Sequence, residues 1–197
     1  MTLKTFLVGC FLAFLCLIAP HQLKAKEIDL SNMTDPTGVY NVAFCARPSP
    51  DSSGKPGHAF VAYSHANPDG DRDLVAIGHT VSAGVGPVSA AWSYFGDSVS
   101  GLLKEERYTS IKQNCLDVTV NKNDFNQARA LAEDPLFKMG LTAQPGTVFE
   151  AYKLGLDDCM TFLISVAETL KSQGLKVPTR GATELPMAYI ARFIAAN

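Results

Sequence analysis

The chain has 197 residues, a formal net charge of −2 at pH 7 and 47% hydrophobic residues. Nothing in that near-balance is basic enough to suggest a nucleic-acid binder, and the expectation is no nucleic-acid partner. The length suits one domain with a sizeable core rather than two, and no internal repeat, low-complexity tract or long charge run divides it.

Residues 1–25 read as a targeting segment. Lys4 supplies the positive start, Phe6 to Pro20 is apolar without a charge, and Leu23-Lys24-Ala25 ends in a small residue suited to cleavage. The apolar run is shorter than the roughly 20 residues a membrane span needs. The expectation is a cleaved secretory signal. The mature chain is then a single domain over 26–197, periplasmic or secreted, with no stable membrane insertion. Leu7-Val-Gly-Cys10 looks like a lipoprotein cleavage box, but it follows Lys4 too closely to leave an apolar core, which makes a lipid anchor the minor alternative. The removed segment holds two lysines and no acid, so cleavage takes the net charge from −2 to −4.

Tyr40 to Cys45 has the composition of a strand, and Arg47 to Gly57 is rich in Pro, Ser and Gly, a turn-rich connection. It delivers the chain into a short strand, His58 to Ser64. A polar loop, His65 to Asp73, leads to a second strand, Leu74 to Thr80. If the two pair as an antiparallel hairpin, His58 lies opposite His79 or one residue away, and two imidazoles meet at one end of a ladder. Asp69, Asp71 and Asp73 alternate like the start of a calcium loop. Gly70 comes too early and no glutamate follows at the needed distance, so the segment reads as a solvated turn.

Val81 to Gly101 reads as a long surface connection carrying the aromatic cluster Trp92-Ser-Tyr-Phe95, a composition that can line a binding site or pack a small satellite core. Glu106 to Val120 is expected to hold two strands or one bent one. Asn123-Asp124 is expected to cap a helix from Phe125 to about Glu133, stopped by Asp134-Pro135. Leu141 to Pro145 reads as loop, and Thr147 to Lys153 as extended. Asp157 and Asp158 then suit the N-cap and first turn of a helix in which Cys159, Leu163, Val166, Ala167 and Leu170 recur at helical spacing. Gly174 ends that helix. A loop at Pro178 to Thr183 precedes a last amphipathic helix, from Glu184 to Ala196, begun near Pro186.

Cys10 and Cys16 leave with the signal, and the remaining count is odd: Cys45, Cys115 and Cys159. In an exported protein the economical reading is one disulfide and one free thiol. Cys45 and Cys115 both sit in strand-like contexts, so a Cys45–Cys115 bridge is the expected pairing, against the alternative that the two never meet. It leaves Cys159 free on the first turn of its helix, where the helix dipole and unpaired N–H groups favour a thiolate or an oxyanion. The neighbouring aspartates oppose this, and a plain core cysteine is the bland alternative.

Three pieces taken together, Gly57-His58-Ala-Phe-Val-Ala-Tyr, Ile77-Gly-His79 and Tyr152-Lys-Leu-Gly-Leu-Asp-Asp-Cys159-Met-Thr-Phe, resemble the NlpC-type papain-like hydrolases. The order of His58, His79 and Cys159 is similar to their circularly permuted branch, which includes the lecithin:retinol acyltransferase-like proteins. The likeness spans about residues 40–170 in the order of elements. This chain departs from the family in a longer loop between the histidine strands, in lacking any match over Val81–Gly146, and in Asp158, where relatives often carry asparagine.

The resemblance implies an α+β fold, an antiparallel sheet packed against a helix that bears the nucleophile. It implies a cysteine amidase or peptidase with Cys159 as nucleophile, His58 as general base and acid, and His79 orienting His58. Tyr152 and Trp92 would stand near the substrate. No cofactor and no metal are called for. The partner implied is a peptide or cell-wall substrate, peptidoglycan stem peptides first and lipid acyl groups second. Two rivals remain: a zinc site on the two histidines and the thiolate, and a non-catalytic exported binding domain on the same scaffold.

Overall fold

The computed structural model describes residues 25–32, 34–49, 56–107, 113–141 and 149–197. The expected signal up to residue 24 lies outside the described residues. So do 50–55 of the turn-rich connection, 108–112 of the expected second strand region, and 142–148, which takes in most of the expected loop and the start of the extended segment.

The fold is α+β. Among the described residues seven strands, β1 (Lys26–Asp29), β2 (Val39–Arg47), β3 (His58–Ala66), β4 (Arg72–Val81), β5 (Val99–Glu105), β6 (Asn114–Val120) and β7 (Ala151–Tyr152), lie in the order β1-β6-β2-β3-β4-β5-β7. β1 runs parallel to β6, and the other neighbours are antiparallel. Strand alternation sorts the side chains onto two faces. Val42, Phe44, Val61, Tyr63, Ile77, Leu116 and Val118 form the main core. Two helices, α4 (Cys159–Glu168) and α5 (Pro186–Ala196), cover that face with Phe162, Leu163, Val166, Tyr189, Ile190 and Phe193. Each such side chain contributes about 1.5–3 kcal/mol on burial. The opposite face carries a small cluster of Cys45, Phe60, Ala62 and Ala76. Cys45 and Cys115 are register partners there and are joined by a disulfide, while Cys159 is free and buried. The bridge spans a sequence separation of 70. Closing a loop of that size is worth about 4 kcal/mol in the chain-entropy account.

The middle of the chain departs from the sequence reading. The expected connection from Val81 to Gly101 holds a short helix, α1 (Pro87–Trp92), and the first residues of β5. Its Gly and Ser content hid a strand whose inward residues are Gly101 and Leu103. The expected single helix is two, α2 (Lys122–Ala130) and α3 (Glu133–Lys138). The cap of α2 is Asn121, which accepts the Asp124 N–H at 3.0 Å, and not Asn123-Asp124. Pro135 stands in the first turn of α3, where its missing N–H leaves no helical bond unmade.

One detail of pairing positions the site. β3 and β4 pair from Ala66 opposite Arg72 as far as Val61 opposite Ile77. Beyond that point Phe60, Ala59 and His58 face Cys45, Ala46 and Arg47 of β2, while Gly78 to Val81 face Lys104 to Gly101 of β5. The two strands part, and the ring of His58 occupies the opening beside Gly78. A Cβ on Gly78 would stand 2.5 Å from His58 Nε2 and 3.0 Å from Glu106 Oε1, so a larger residue there would displace both side chains.

Candidate active site

Cys159 is the first residue of α4, and the turn before it is built by Asp158. In extended conformation Asp158 accepts the N–H groups of Met160 at 3.0 Å and Thr161 at 3.2 Å on Oδ1, and that of Gly155 at 2.7 Å on Oδ2. Gly155 has φ 89°, a left-handed turn that suits glycine. Arg180, from the loop before α5, donates to both Asp158 oxygens at 2.8 Å. Burial pushes the Asp158 carboxyl up, but Arg180 and these N–H groups hold it below the ordinary range. A carboxylate only 1% exposed is thus kept ionised one residue from the sulfur.

His58 lies beside Cys159, close enough for the thiol to act on the charge of the ring. Its Nε2 lies 2.9 Å from Glu106 Oε1, and Glu106 Oε2 accepts from Arg47 Nη2 at 3.1 Å. Burial pushes the imidazole down, but Cys159 and Glu106 outweigh it and raise His58 to about 9. Burial likewise pushes Glu106 up, and His58 and Arg47 bring it down to about 2. The imidazole is therefore charged near neutrality, with a carboxylate on one ring nitrogen and a thiol in hydrogen-bonding reach.

The expected contact of His79 with His58 is replaced by this one. His79 follows the inward parity of β4 and is fully buried. Its ring packs on Phe149 at 5.1 Å and on Tyr152 at 5.3 Å, with Asp157 Oδ1 3.8 Å from Nδ1. Burial holds its pKa below the usual histidine value, and Asp157 offsets this only in part. Glu106 is the residue that sequence reasoning missed. The only sequence signal was an acidic pair, Glu105-Glu106, after an apolar segment, and surface strand ends offer that commonly.

Cys159 opens onto a cavity of about 320 Å³. Tyr152 lines it, with Tyr94, Phe95, Met160, Leu185 and Arg180. Burial, then Cys159 and Asp158, raise the Tyr152 phenol, against Arg180. Trp92 does not line the cavity. It is 69% exposed and meets the cavity-lining Phe95 edge-on at 6.0 Å. Ser93 ties this aromatic segment to the turn before α4, its Oγ accepting the Leu154 N–H at 3.1 Å. Among the described residues no three or more His, Cys, Asp or Glu side chains are grouped to hold a metal ion, so His58, His79 and Cys159 do not make a ligand set. No helix among them is long and apolar enough to cross a membrane.

No protein-family model and no curated protein matches the chain. A crystal structure of the type VI secretion system effector TseH is similar over 82% of this chain and 91% of that one, at 13% identity and a TM-score of 0.46. Likeness at that level carries no argument about function, which rests here on the chain's own residues.

Proposed function

We propose that the protein is an exported cysteine amidase or peptidase of the permuted papain-like, NlpC-type kind, with Cys159 as nucleophile, His58 as general acid and base, and Glu106 orienting His58. The observation that carries this reading is the buried chain of thiol, imidazole and carboxylate. An imidazolium beside a thiol favours the thiolate. The Cys159 sulfur attacks the substrate carbonyl carbon, and the Cys159 N–H at the helix start faces the oxygen that gains charge. His58 gives its proton to the leaving amine as the C–N bond breaks, leaving a thioester. It then takes a proton from water, which attacks the thioester and frees the acid and the thiol. The reading takes peptidoglycan stem peptides as first-choice substrate, in keeping with an exported chain.

A second reading, a lipid acyl hydrolase or transferase on the same site, is favoured by one observation. Phe95, Leu185 and Tyr94 of the cavity wall are exposed, as are Trp92, two residues before Tyr94, and Leu156, next to the cavity-lining Gly155. The test is to incubate mature protein with stem-peptide fragments and, separately, with phospholipid vesicles, alongside Cys159→Ala. Release of a new amine from the peptide, abolished in the variant, supports the amidase; release of fatty acid selects the second reading. Turnover that survives Cys159→Ala overturns both.

A further inference from the structure

The Asp158 carboxylate poses a problem for a nucleophile at position 159. It organises the helix start through three N–H groups, yet it is a buried negative charge adjoining a sulfur that must itself become negative. The titratable and charged groups facing that sulfur come from every side. His58 comes from β3 and Tyr152 from β7, with Asp158 in the turn and Arg180 in the loop before α5. Glu106 and Arg47 lie behind His58, and the pair of His79 with Asp157 stands on the far side of Tyr152. Glu184, on the same cavity, is already paired with Arg192 at 2.6 Å. Arg180 is the cation on the Asp158 side of this set. Its fork meets both carboxylate oxygens, its side chain is only 16% exposed, and Cys159 and Tyr152 also feel its charge.

We infer that Arg180 is a positioning residue, whose guanidinium cancels the buried Asp158 charge so that the positive charge of His58 next to the Cys159 sulfur is not offset. The inference rests on Cys159 being the nucleophile. It extends the working site to the loop of 178–185, beyond the residues that touch the reacting atoms. It also explains how a buried aspartate can serve as N-cap of a nucleophile helix: capping and charge are separated, the first supplied by Asp158 and the second neutralised from another part of the chain.

The experiment is the rate of Cys159 alkylation by iodoacetamide as a function of pH, from about pH 4 to about pH 10. In this step a C–S bond forms, the C–I bond breaks with loss of iodide, and the thiol proton is released to solvent, His58 already carrying its own. Intact, folded mature protein is compared with Arg180→Met, Arg180→Lys and the double variant Arg180→Met with Asp158→Asn, which keeps a capping oxygen. Arg180→Met should move the midpoint of the rate profile up by about one pH unit or more, so that labelling below it slows about tenfold. Arg180→Lys should restore most of the shift. The double variant should bring the midpoint back towards the parent, because the carboxylate and its partner are removed together. A slower rate at every pH with the midpoint unmoved would overturn the inference and make Arg180 merely structural, as would a double variant no better than Arg180→Met. Should Arg180→Met not fold, the midpoints of Arg180→Lys and the double variant decide. If instead the unmodified protein labels as slowly as an ordinary buried thiol, the nucleophile reading itself fails, and that outcome is visible before any variant is made.

Discussion

His58 and His79 start from the same imidazole, stand on adjacent strands and are both withdrawn from water, yet they end in opposite states. His58 sits where β3 and β4 have parted, with Glu106 on one nitrogen and Cys159 in reach, and is held protonated up to about pH 9. His79 sits inside the main face between Phe149 and Tyr152, and its pKa is depressed. Burial pushes both rings down. What separates them is whether a carboxylate closes on the ring: 2.9 Å for Glu106 on His58, against 3.8 Å for the half-exposed Asp157 on His79. Desolvation alone yields a neutral packing residue, and desolvation with a buried counter-charge yields a proton donor.

The largest expected effect breaks this comparison directly. His58→Ala should slow alkylation of Cys159 at neutral pH by about 10²–10⁴-fold, the usual worth of a positioned acid–base group. His79→Ala should leave it within about tenfold in protein that still folds, while costing about 2–3 kcal/mol of stability through the space left beside Phe149 and Tyr152. Equal or inverted rate effects, measured on variants whose melting shows them folded, would exchange the two roles. Next in size is Glu106→Gln. It keeps the shape at His58 but removes the charge, and should lower kcat by about a hundredfold with KM little changed, the usual cost of a misplaced catalytic group. A rise in KM with kcat unchanged would assign Glu106 to substrate binding instead.

Stability against pH is the third measure of the comparison, and here the two rings should have opposite signs. His58 has a folded pKa raised from 6.5 to about 9. Its contribution, of order 3 kcal/mol as one shared term with Glu106, is full below pH 6.5 and is lost as pH rises through about 9. Glu106, lowered from 4.5 to about 2, holds its share above pH 4.5 and loses it as pH falls through about 2. His79, depressed, costs stability only as pH falls below 6.5, where the unfolded chain takes up a proton more readily than the folded one. Denaturant unfolding at a series of pH values should lose its alkaline slope in His58→Gln and keep it in His79→Phe. An alkaline slope that persists in His58→Gln would show that the ring is not the charged group.

The parts of the site that depend on neighbours in sequence were legible. Asp158 as a cap, Cys159 on the first turn and the apolar stripe behind it all follow from local helix rules, as does the start of α5 at Pro186. The hairpin of β3 and β4 was legible from alternation, and the odd count of cysteines pointed to the bridge between Cys45 and Cys115. Glu106 was not legible, because its role depends on where β3 and β4 stop pairing, a property of the assembled sheet. Parity along the two strands favours His79 as the inward residue, and only the parting of the strands gives the site to His58. Nor was β1 (Lys26–Asp29) foreseen: four residues alternating charged and apolar gain a strand's identity only from β6 beside them.

The bridge between Cys45 and Cys115 joins two residues that face each other across a ladder, and Arg47 lies two positions further along the same strand. A slip of β2 by a single residue would turn every side chain on it to the other face, taking the guanidinium that holds Glu106 away from its carboxylate. The covalent link forbids that slip. It therefore acts as a gauge pin for the reacting end of the molecule as well as a brace against unfolding.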